Sequence, residues 1–381
     1  MEGDTALADK RMGKTLLEAE KAEYYTATQF QLMWWRFRKH RLALLGSTIL
    51  GLFLIVIVLT EFLAPSTPFL RNPKYVFGQP QKLHFFDDEG VFHLRPFAYG
   101  VCTERHPVTL GMVFVQDTSV MWPVHFFVRG EPYKLWGLWE TDIHLFGIES
   151  GFIHLLGTDH MGRDVLSRII YGTRVSLSIG MFGVILAFVL GLLIGGVSGY
   201  SGGWIDNLIQ RLIEVIRSIP TLPLWMSLAA TLPKEWSALH VYFAITIILA
   251  FRGWTHLARR VRGKLLSLRD EDFVVAARIA GSSDARIIAR HMLPSFLSYI
   301  IVDLSVSFPY MILGETALSF IGLGLRPPVV SWGTLLQSAQ NIQTLSMHPW
   351  LLSPAVFVIL AVLAFSFVGD GLRDAADPYS R

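Results

Sequence analysis

Residues 270–294 read DEDFVVAARIAGSSDARIIARHMLP and form a polar, helix-forming island between two apolar segments. Phe273, Ala276, Ala277 and Ala280 fall on one helical face. Gly281 follows them, at a point where a residue without a Cβ atom can turn left-handed and stop the helix. A serine after this glycine can cap a second short helix, and a proline closes the stretch. The pattern predicts a helix–turn–helix between two membrane spans, which is suited to dock into a groove of another protein.

The composition is typical of a multi-span membrane protein. Of the 381 residues, 52% are hydrophobic and 17% are charged, and the mean hydropathy is +0.44. The net charge of +3 is small, and Lys and Arg cluster beside apolar segments instead of on one soluble face, which argues against nucleic-acid binding. The single cysteine, Cys102, cannot form an internal disulfide, and Cys and His show no zinc-ligand spacing.

Apolar segments predict six membrane spans and a helical membrane protein. The spans are 42–64, 175–197, an interrupted third span that ends near 232, 239–257, 295–321 and 351–368. The first would be about 34 Å long as a helix, enough to cross a bilayer. A cleaved signal peptide is the alternative, but this apolar run is too long and lacks a small-x-small cleavage site. Charges and two prolines, Pro220 and Pro223, interrupt the third span.

The spans divide the chain into five parts. These are an N-terminal segment 1–41, the first helix 42–64, an external insert with an amphipathic segment 65–172, a core of five spans 173–371, and a tail 372–381. Residues 65–153 form the insert proper, where runs at 108–115 and 125–128 predict short strands.

Three features imitate functional sites. Gly13-Lys14-Thr15 looks like the end of a phosphate-binding loop, but Ala8 occupies the place of the required first glycine. His160 lies between two aspartates without a nucleophile, so a capped helix with Asp–Arg pairing is favoured. The histidines of the insert lack ligand spacing and are expected to be structural; they are His84, His93, His106, His125 and His144.

The distribution of Lys and Arg predicts the orientation. Residues 252–294 carry nine of them, whereas 232–239 and 321–350 carry one each. Because short positively charged loops stay in the cytoplasm, both termini and the 270–294 loop are predicted to be cytoplasmic.

The fifth span contains two acidic residues and a proline, Asp303, Glu315 and Pro309. A charged group in lipid costs about 2.5–3.5 kcal/mol on insertion scales, so both carboxyl groups should face protein or water. Charged, proline-broken spans often line a transport path. A structural hydrogen bond between helices is an equally good interpretation for both carboxyl groups.

Residues 270–294 resemble the "EAA" loop of binding-protein-dependent ABC importer permeases. Ala276, Ala277, Gly281, Leu293 and Pro294 match that motif in type and spacing, whereas Val275 replaces its Glu and His291 replaces its Ile. Four further runs resemble the dipeptide/oligopeptide branch of these permeases: GTDHMGRDVLSR at 157–168, GYSGGWID at 199–206, LSFIGLGLRPPVVSWG at 318–333 and GDGLRDAADP at 369–378. The insert 65–153 matches no family motif.

The chain thus resembles the C-type permease subunit of dipeptide/oligopeptide ABC importers. The resemblance implies a type I importer fold with six transmembrane helices, a bacterial inner-membrane location, and no enzymatic activity or cofactor on this chain. It implies a second permease subunit, two ATPase subunits that bind ATP and Mg²⁺, and an external substrate-binding protein. The residues expected to couple to the ATPases are Asp272, Ala276, Ala277, Gly281, Arg286, Arg290, Leu293 and Pro294.

Other functions are weaker expectations. A proton-coupled secondary transporter would use Asp303 and Glu315 as proton relays, but it leaves the 270–294 loop unexplained. A membrane sensor would bind its ligand with residues 65–153. It would also need a cytoplasmic signalling or catalytic domain, and no predicted cytoplasmic segment of this sequence is large enough for one. Relatives of this permease type carry peptides, oligosaccharides, nickel or opines, so the substrate class is open at this point.

Overall fold

A computed structural model describes residues 28–105, 112–149 and 151–376. The glycine-lysine-threonine run at 13–15 and the histidine at 106 lie outside these residues. The helices are α1 Gln29–Lys39, α2 Arg41–Val58, α3 Thr60–Leu63, α4 Val165–Ser201, α5 Gly203–Ser218, α6 Thr221–Ala230, α7 Ala238–Leu268, α8 Asp272–Ile279, α9 Asp284–Arg286, a π-helix Ile287–Met292, α10 Leu293–Ser295, α11 Leu297–Ile321, α12 Trp332–Gln337, α13 Ile342–Met347 and α14 Ser353–Ala376. The strands are β1 His84–Phe86, β2 Phe92–Arg105, β3 Met112–Pro123, β4 His125–Leu135 and β5 Trp139–Gly147, and 3₁₀ turns cover Pro73–Tyr75 and Pro349–Leu352.

Within the described residues, five helices are long and apolar enough to cross a membrane: α2, α4, α7, α11, and α14 together with the turn before it. The pair α5 and α6 passes the same test together with a bend of 86° between its halves, which makes it the candidate for a sixth, broken span. The predicted helical membrane fold with an interrupted third span is therefore confirmed.

Some boundaries differ from the predicted ones. The amphipathic segment after the insert and the second span form one helix, α4, because Asp164 caps its start and accepts a hydrogen bond from the amide of Ser167 (2.7 Å). The boundary expected at 172/173 therefore falls inside a helix. Similarly, α7 continues past 257 to residue 268, and α14 continues past 371 to 376. The first span is instead shorter, because its helix breaks at Leu59 between α2 and α3.

Glycines allow the membrane helices to pack closely. Gly191, Gly195 and Gly199 of α4 approach Leu257, Ala258 and Arg262 of α7, in that order, so the two helices are parallel. A Cβ atom at Gly195 would lie 2.6 Å from the carbonyl oxygen of Ala258. Small residues at such contacts let backbones approach in a membrane, where apolar burial does not distinguish protein from lipid.

The bend between α5 and α6 is held by α7. Pro220 lacks an amide proton and starts the second half of the broken span. The guanidinium of Arg252 donates to the carbonyl oxygens of Ile216 (3.1 Å) and Ile219 (2.8 Å), which have no helical partner at the end of α5. At the other end of α5, Arg262 forms a two-pronged ion pair with Asp206.

The bundle has two ends, named here by what they carry. The loop face carries the 270–294 loop, the start of α2 and the end of α14, where Gly371 packs against Ala43 and Phe37. The insert face carries residues 65–164. Both described terminal helices therefore lie on the same side as the loop.

The insert consists of two antiparallel sheets, in the orders β1-β2-β3 and β4-β5. The second predicted strand run, 125–128, opens β4, and the part of the first run that is described, 112–115, opens β3. Both strands are much longer than the predicted runs, since β3 continues to Pro123 and β4 to Leu135.

A clasp of hydrogen bonds closes the base of the insert. The amide of Gly78 donates to the hydroxyl of Thr158 (2.7 Å), and the amide of Thr158 donates to the carbonyl of Gly78 (2.9 Å). Gln81 and His154 are joined in the same way by two bonds of 3.0 and 2.6 Å. The chain thus leaves for the insert and returns from it at one place.

Asp159 lies beside this clasp and is almost fully buried. It accepts hydrogen bonds from Arg163 (2.8 Å) and Arg168 and from the amides of Met161 and Arg163. Burial alone would raise the pKa of Asp159, but the two guanidinium groups and these hydrogen bonds hold it below its usual value. The predicted Asp–Arg pairing around His160 is confirmed.

Candidate functional site

The 270–294 loop forms the predicted helix–turn–helix at the loop face. In α8, Val274 and Ala277 are buried against α7 and against Ile287 and Met292 of the π-helix. The first predicted helix is therefore present. The second predicted short helix, 285–292, is also present, as the α-helical turn α9 followed directly by the π-helix.

The exposed face of α8 differs from the one that the spacing suggested. Asp272, Val275, Ala276 and Ile279 follow the spacing i, i+3, i+4 and i+7 and all point outward; 83% of Ile279 is exposed. Ala277, expected with Ala276 in a partner's groove, packs instead inside the chain. Ile279 was missed by the sequence reasoning, although the same helical spacing contains it.

Gly281 ends α8 in a left-handed conformation, with φ of +77°. The amide of Ser282 donates to the carbonyl of Ala277 (3.1 Å), which satisfies one free carbonyl at the helix end. A Cβ atom at Gly281 would meet no atom of the described residues within 4 Å, so the position is open on that side. Ser283 occupies the N-cap position of α9, but its side chain makes no capping bond, contrary to expectation.

Tyr200 fastens this loop to the end of α4. Its hydroxyl donates to Asp284 (2.7 Å), and its ring lies 5.8 Å from the guanidinium of Arg278. These contacts join both halves of the loop to one membrane helix. The sequence reasoning did not single out Tyr200, because nothing in the spacing pairs residues 84 positions apart.

The eight predicted coupling residues differ in how exposed their side chains are. Asp272, Ala276, Gly281, Arg286, Arg290 and Pro294 are exposed, Leu293 is half-buried and Ala277 is buried. Arg286 and Arg290 form no ion pair with any residue in the described part of the chain. The loop therefore presents an apolar ridge at Ile279 with two cationic side chains nearby in sequence.

A second feature is a cavity of about 860 Å³ toward the loop face, between α4, α6, α7, α11 and α14. Asp303 is in its wall and forms an ion pair with Arg260, with His256 3.9 Å away. Other cationic groups in the wall are Arg217, Arg252 and Arg373. Of the three predicted pathway residues, Asp303 therefore lines this cavity.

Pro309 and Glu315 do not line this cavity. Pro309 is buried within α11. Glu315 is fully buried and accepts hydrogen bonds from Ser331 (2.7 Å), Ser319 (2.8 Å) and Ser176 (3.2 Å). The geometry favours the structural alternative for Glu315, because its carboxyl group joins α4, α11 and the segment before α12.

Sequence comparison gives the family of the chain. Residues 176–381 match the family described as "Binding-protein-dependent transport system inner membrane component", and residues 28–80 match "N-terminal TM domain of oligopeptide transport permease C". The first match alone covers more than half of the chain. The two matched ranges leave most of the insert outside both.

Three relatives illustrate the similarity. The dipeptide transport system permease protein DppC of Lactococcus lactis subsp. cremoris is 33% identical over 354 residues, which cover 92% of this chain and 90% of the relative. The oligopeptide transport system permease protein OppC of Bacillus subtilis is 35% identical over 60% of this chain and 72% of its own. The OppC protein of Haemophilus influenzae is 39% identical over 60% and 71%.

Among solved structures, inward-facing MetNI methionine ABC transporter aligns with a TM-score of 0.43 and 18% identity, over 55% of this chain and 97% of that one. The family assignment rests on the sequence matches and on the agreement of the membrane helices with them. The chain belongs to the family of binding-protein-dependent transport system inner membrane components, and it is a multi-pass ABC transporter permease, a transport protein and not itself an enzyme.

Proposed function

We propose that the chain is one of two permease subunits in an ATP-driven, binding-protein-dependent importer of di- or oligopeptides. The relative that aligns over 92% of this chain is named a dipeptide permease, and the two others are named oligopeptide permeases. Import of oligosaccharides or another small solute by the same kind of complex is the alternative.

The observation that carries this proposal is the exposed face of α8. Ile279 and Val275 are 83% and 38% exposed on one face of α8, beside a left-handed glycine with open space, and such an apolar patch marks a surface that binds another protein. Two ATPase subunits that bind ATP and Mg²⁺ would cover it. Arg286 and Arg290 would meet acidic side chains of the ATPase.

The proposed orientation places the loop face in the cytoplasm and the insert face outside. Residues 252–294 carry nine Lys and Arg, and the described ends of α1 and α14 lie at that same face. The insert would then face the external binding protein, and the cavity beside Asp303 would open toward the cytoplasm.

The proposed mechanism is alternating access. ATP-driven closure of the ATPases would push α8, which packs on the end of α7. Since α7 is locked to α4 by glycine contacts, the pair would move as one semi-rigid body and change the opening of the cavity. Asp303 and Arg260 would separate or stay paired according to that opening.

Gly281→Asp tests the coupling surface. We expect the variant to insert and fold, because the new side chain meets open space, but to abolish substrate uptake while ATP hydrolysis by the complex continues. Gly90→Asp is the matched control, since Gly90 also has a positive φ (+82°) and open surroundings but lies in the β1–β2 turn. Uptake at the wild-type level by Gly281→Asp would contradict the proposal.

Purification in mild detergent tests the partners and the substrate. Co-purification of an ATPase with a GxxxxGK[ST] motif and of a second six-span protein is expected, together with peptide uptake by the reconstituted complex. Uptake by this chain alone that collapses with a protonophore would instead favour the proton-coupled alternative.

A further inference from the structure

The β4–β5 hairpin ends in an unusual turn. Residues 135–139 read Leu-Trp-Gly-Leu-Trp and contain no charged or hydrogen-bonding side chain other than the two indoles. Hairpin turns exposed to water normally consist of Gly, Asn, Asp and Ser. Here the side chains of Trp136, Leu138 and Trp139 are 49%, 72% and 59% exposed.

The backbone of this turn also favours other residues. Trp136 and Gly137 both have positive φ, +53° and +73°, as in the type I′ turns that Asn-Gly usually forms. A bulky aromatic residue is disfavoured in this conformation. An aromatic side chain in a strained, exposed position indicates that it has a use at that position.

The turn lies beside the end of the first membrane helix. The indole Nε1 of Trp136 donates to the carbonyl oxygen of Val58, the last residue of the first membrane helix, at 2.6 Å. Val58 precedes Glu61 by three residues and belongs to α2, the part of the chain that is apolar enough to cross a membrane. Glu61 is paired with Arg174 of α4 (2.8 Å), so the polar contacts of this helix end face the protein interior.

The β4–β5 hairpin becomes more apolar from its middle toward its turn. Its middle is polar and tied to the chain after the first span: Glu131 accepts a bond from Thr67 (2.7 Å). Lys134 and Glu140 form an ion pair (3.0 Å) one residue before the apolar turn on each strand. Beyond this pair, toward the membrane, only apolar and indole groups follow.

We propose that the turn 135–139 is a lipid anchor that inserts into the membrane interface on the insert face. Trp side chains prefer this zone because the ring is apolar and the N–H is polar. Lys134 can keep its ammonium group among headgroups while its methylene stem follows the turn inward. The occupant of this apolar patch is the bilayer, since the patch is continuous with the exposed apolar surface of α2 at Leu54, Ile55 and Val58.

Site-directed spin labelling tests the proposal. The single cysteine allows a Cys102→Ser background, into which Leu138→Cys is introduced and labelled with a nitroxide. The full chain, with the subunits that co-purify, is placed in nanodiscs of phosphatidylethanolamine and phosphatidylglycerol. Collisions with oxygen, which concentrates in lipid, and with nickel ethylenediaminediacetate, which stays in water, are then measured.

The label at 138 is expected to collide with oxygen and to be protected from the nickel complex several-fold relative to a label at Leu94→Cys. Leu94 is the matched control, since 86% of it is exposed on strand β2 of the other sheet. Trp139→Cys provides a second label at the turn if Leu138→Cys does not assemble. Equal collision with the nickel complex at 138 and 94 would show a water-exposed turn and overturn the proposal. Protection at 138 from both reagents would show that protein covers the turn and would overturn it as well.

Discussion

Glu315 is a carboxyl group enclosed by three serine hydroxyls from different parts of the chain. Ser176 also accepts a hydrogen bond from the amide of Trp332 (3.0 Å), so the same group positions the start of α12. Trp332 is fully buried against α2 and α14. The side chain of Glu315, one candidate for a proton relay, therefore connects helices through hydrogen bonds.

Glu315→Ala should therefore destabilise the folded protein. It removes the acceptor of three buried hydroxyls and leaves a cavity, which together cost about 3 kcal/mol. The readout is the Tm of the purified protein in detergent. Ser305→Ala, on the same helix, is the control because the Ser305 hydroxyl bonds only to its own helix. An unchanged Tm for Glu315→Ala would refute this role, and loss of proton-driven uptake alone would point to a relay.

At the scale of a helix pair, individual glycines decide how closely α4 and α7 pack. Gly195 touches the backbone of Ala258, whereas a Cβ atom at Gly196 would meet, among the described residues, a methyl group of Ile288 alone, at 3.8 Å. Of these two adjacent glycines, Gly195 is crowded by a neighbouring backbone and Gly196 has space for a side chain.

Gly195→Ala is expected to force the helices apart and to cost about 1–3 kcal/mol, as overpacking does. Gly196→Ala should be neutral or stabilising by up to about 1 kcal/mol, because alanine favours a helix more than glycine does. Thermal unfolding of both variants measures the difference. Similar losses in the two would mean that helix packing does not limit stability here.

The α8 helix also shows what spacing alone can predict. The apolar run and the glycine predicted the helix and its end, because both are local properties. Which face is buried could not be predicted, since Val274 with Ala277 and Val275 with Ala276 are equally apolar pairs. Only the position of the preceding helix, which packs on Val274, decides between them.

For the whole molecule too, local features could be predicted from the sequence and contacts between distant segments could not. Runs of apolar residues predicted six spans because a bilayer imposes their length. The partners of Glu315 lie up to 139 residues away in sequence, and the long strands of the insert pair through turns without a clear local signal. Such contacts depend on the folded arrangement, and the resemblance to a family supplied no motif for the insert.

Asp159 links the insert to the membrane helices, so its ionisation affects the stability of the whole molecule. The pKa of Asp159 is lower in the folded protein than its ordinary value of 3.8. The unfolded chain therefore takes up the proton first as the pH falls. The stabilisation is complete above pH 3.8 and is lost as the pH drops through the folded-state pKa.

Asp159→Asn is expected to lower stability by about 3 kcal/mol at neutral pH, since it leaves buried guanidinium groups without their carboxylate. It should also flatten the decline of Tm toward acidic pH. Asp142→Asn is the control, as Asp142 is a half-exposed residue 4.0 Å from Arg129. A wild-type acid profile in Asp159→Asn would contradict this assignment.

The clasp at the base of the insert makes this β module separable from the rest of the chain. Gly78 and Thr158 are hydrogen-bonded neighbours, so a short linker between 81 and 154 could replace the strands without displacing a membrane helix. Permeases of this family could therefore gain, enlarge or exchange a module at this junction while their membrane helices stay in place.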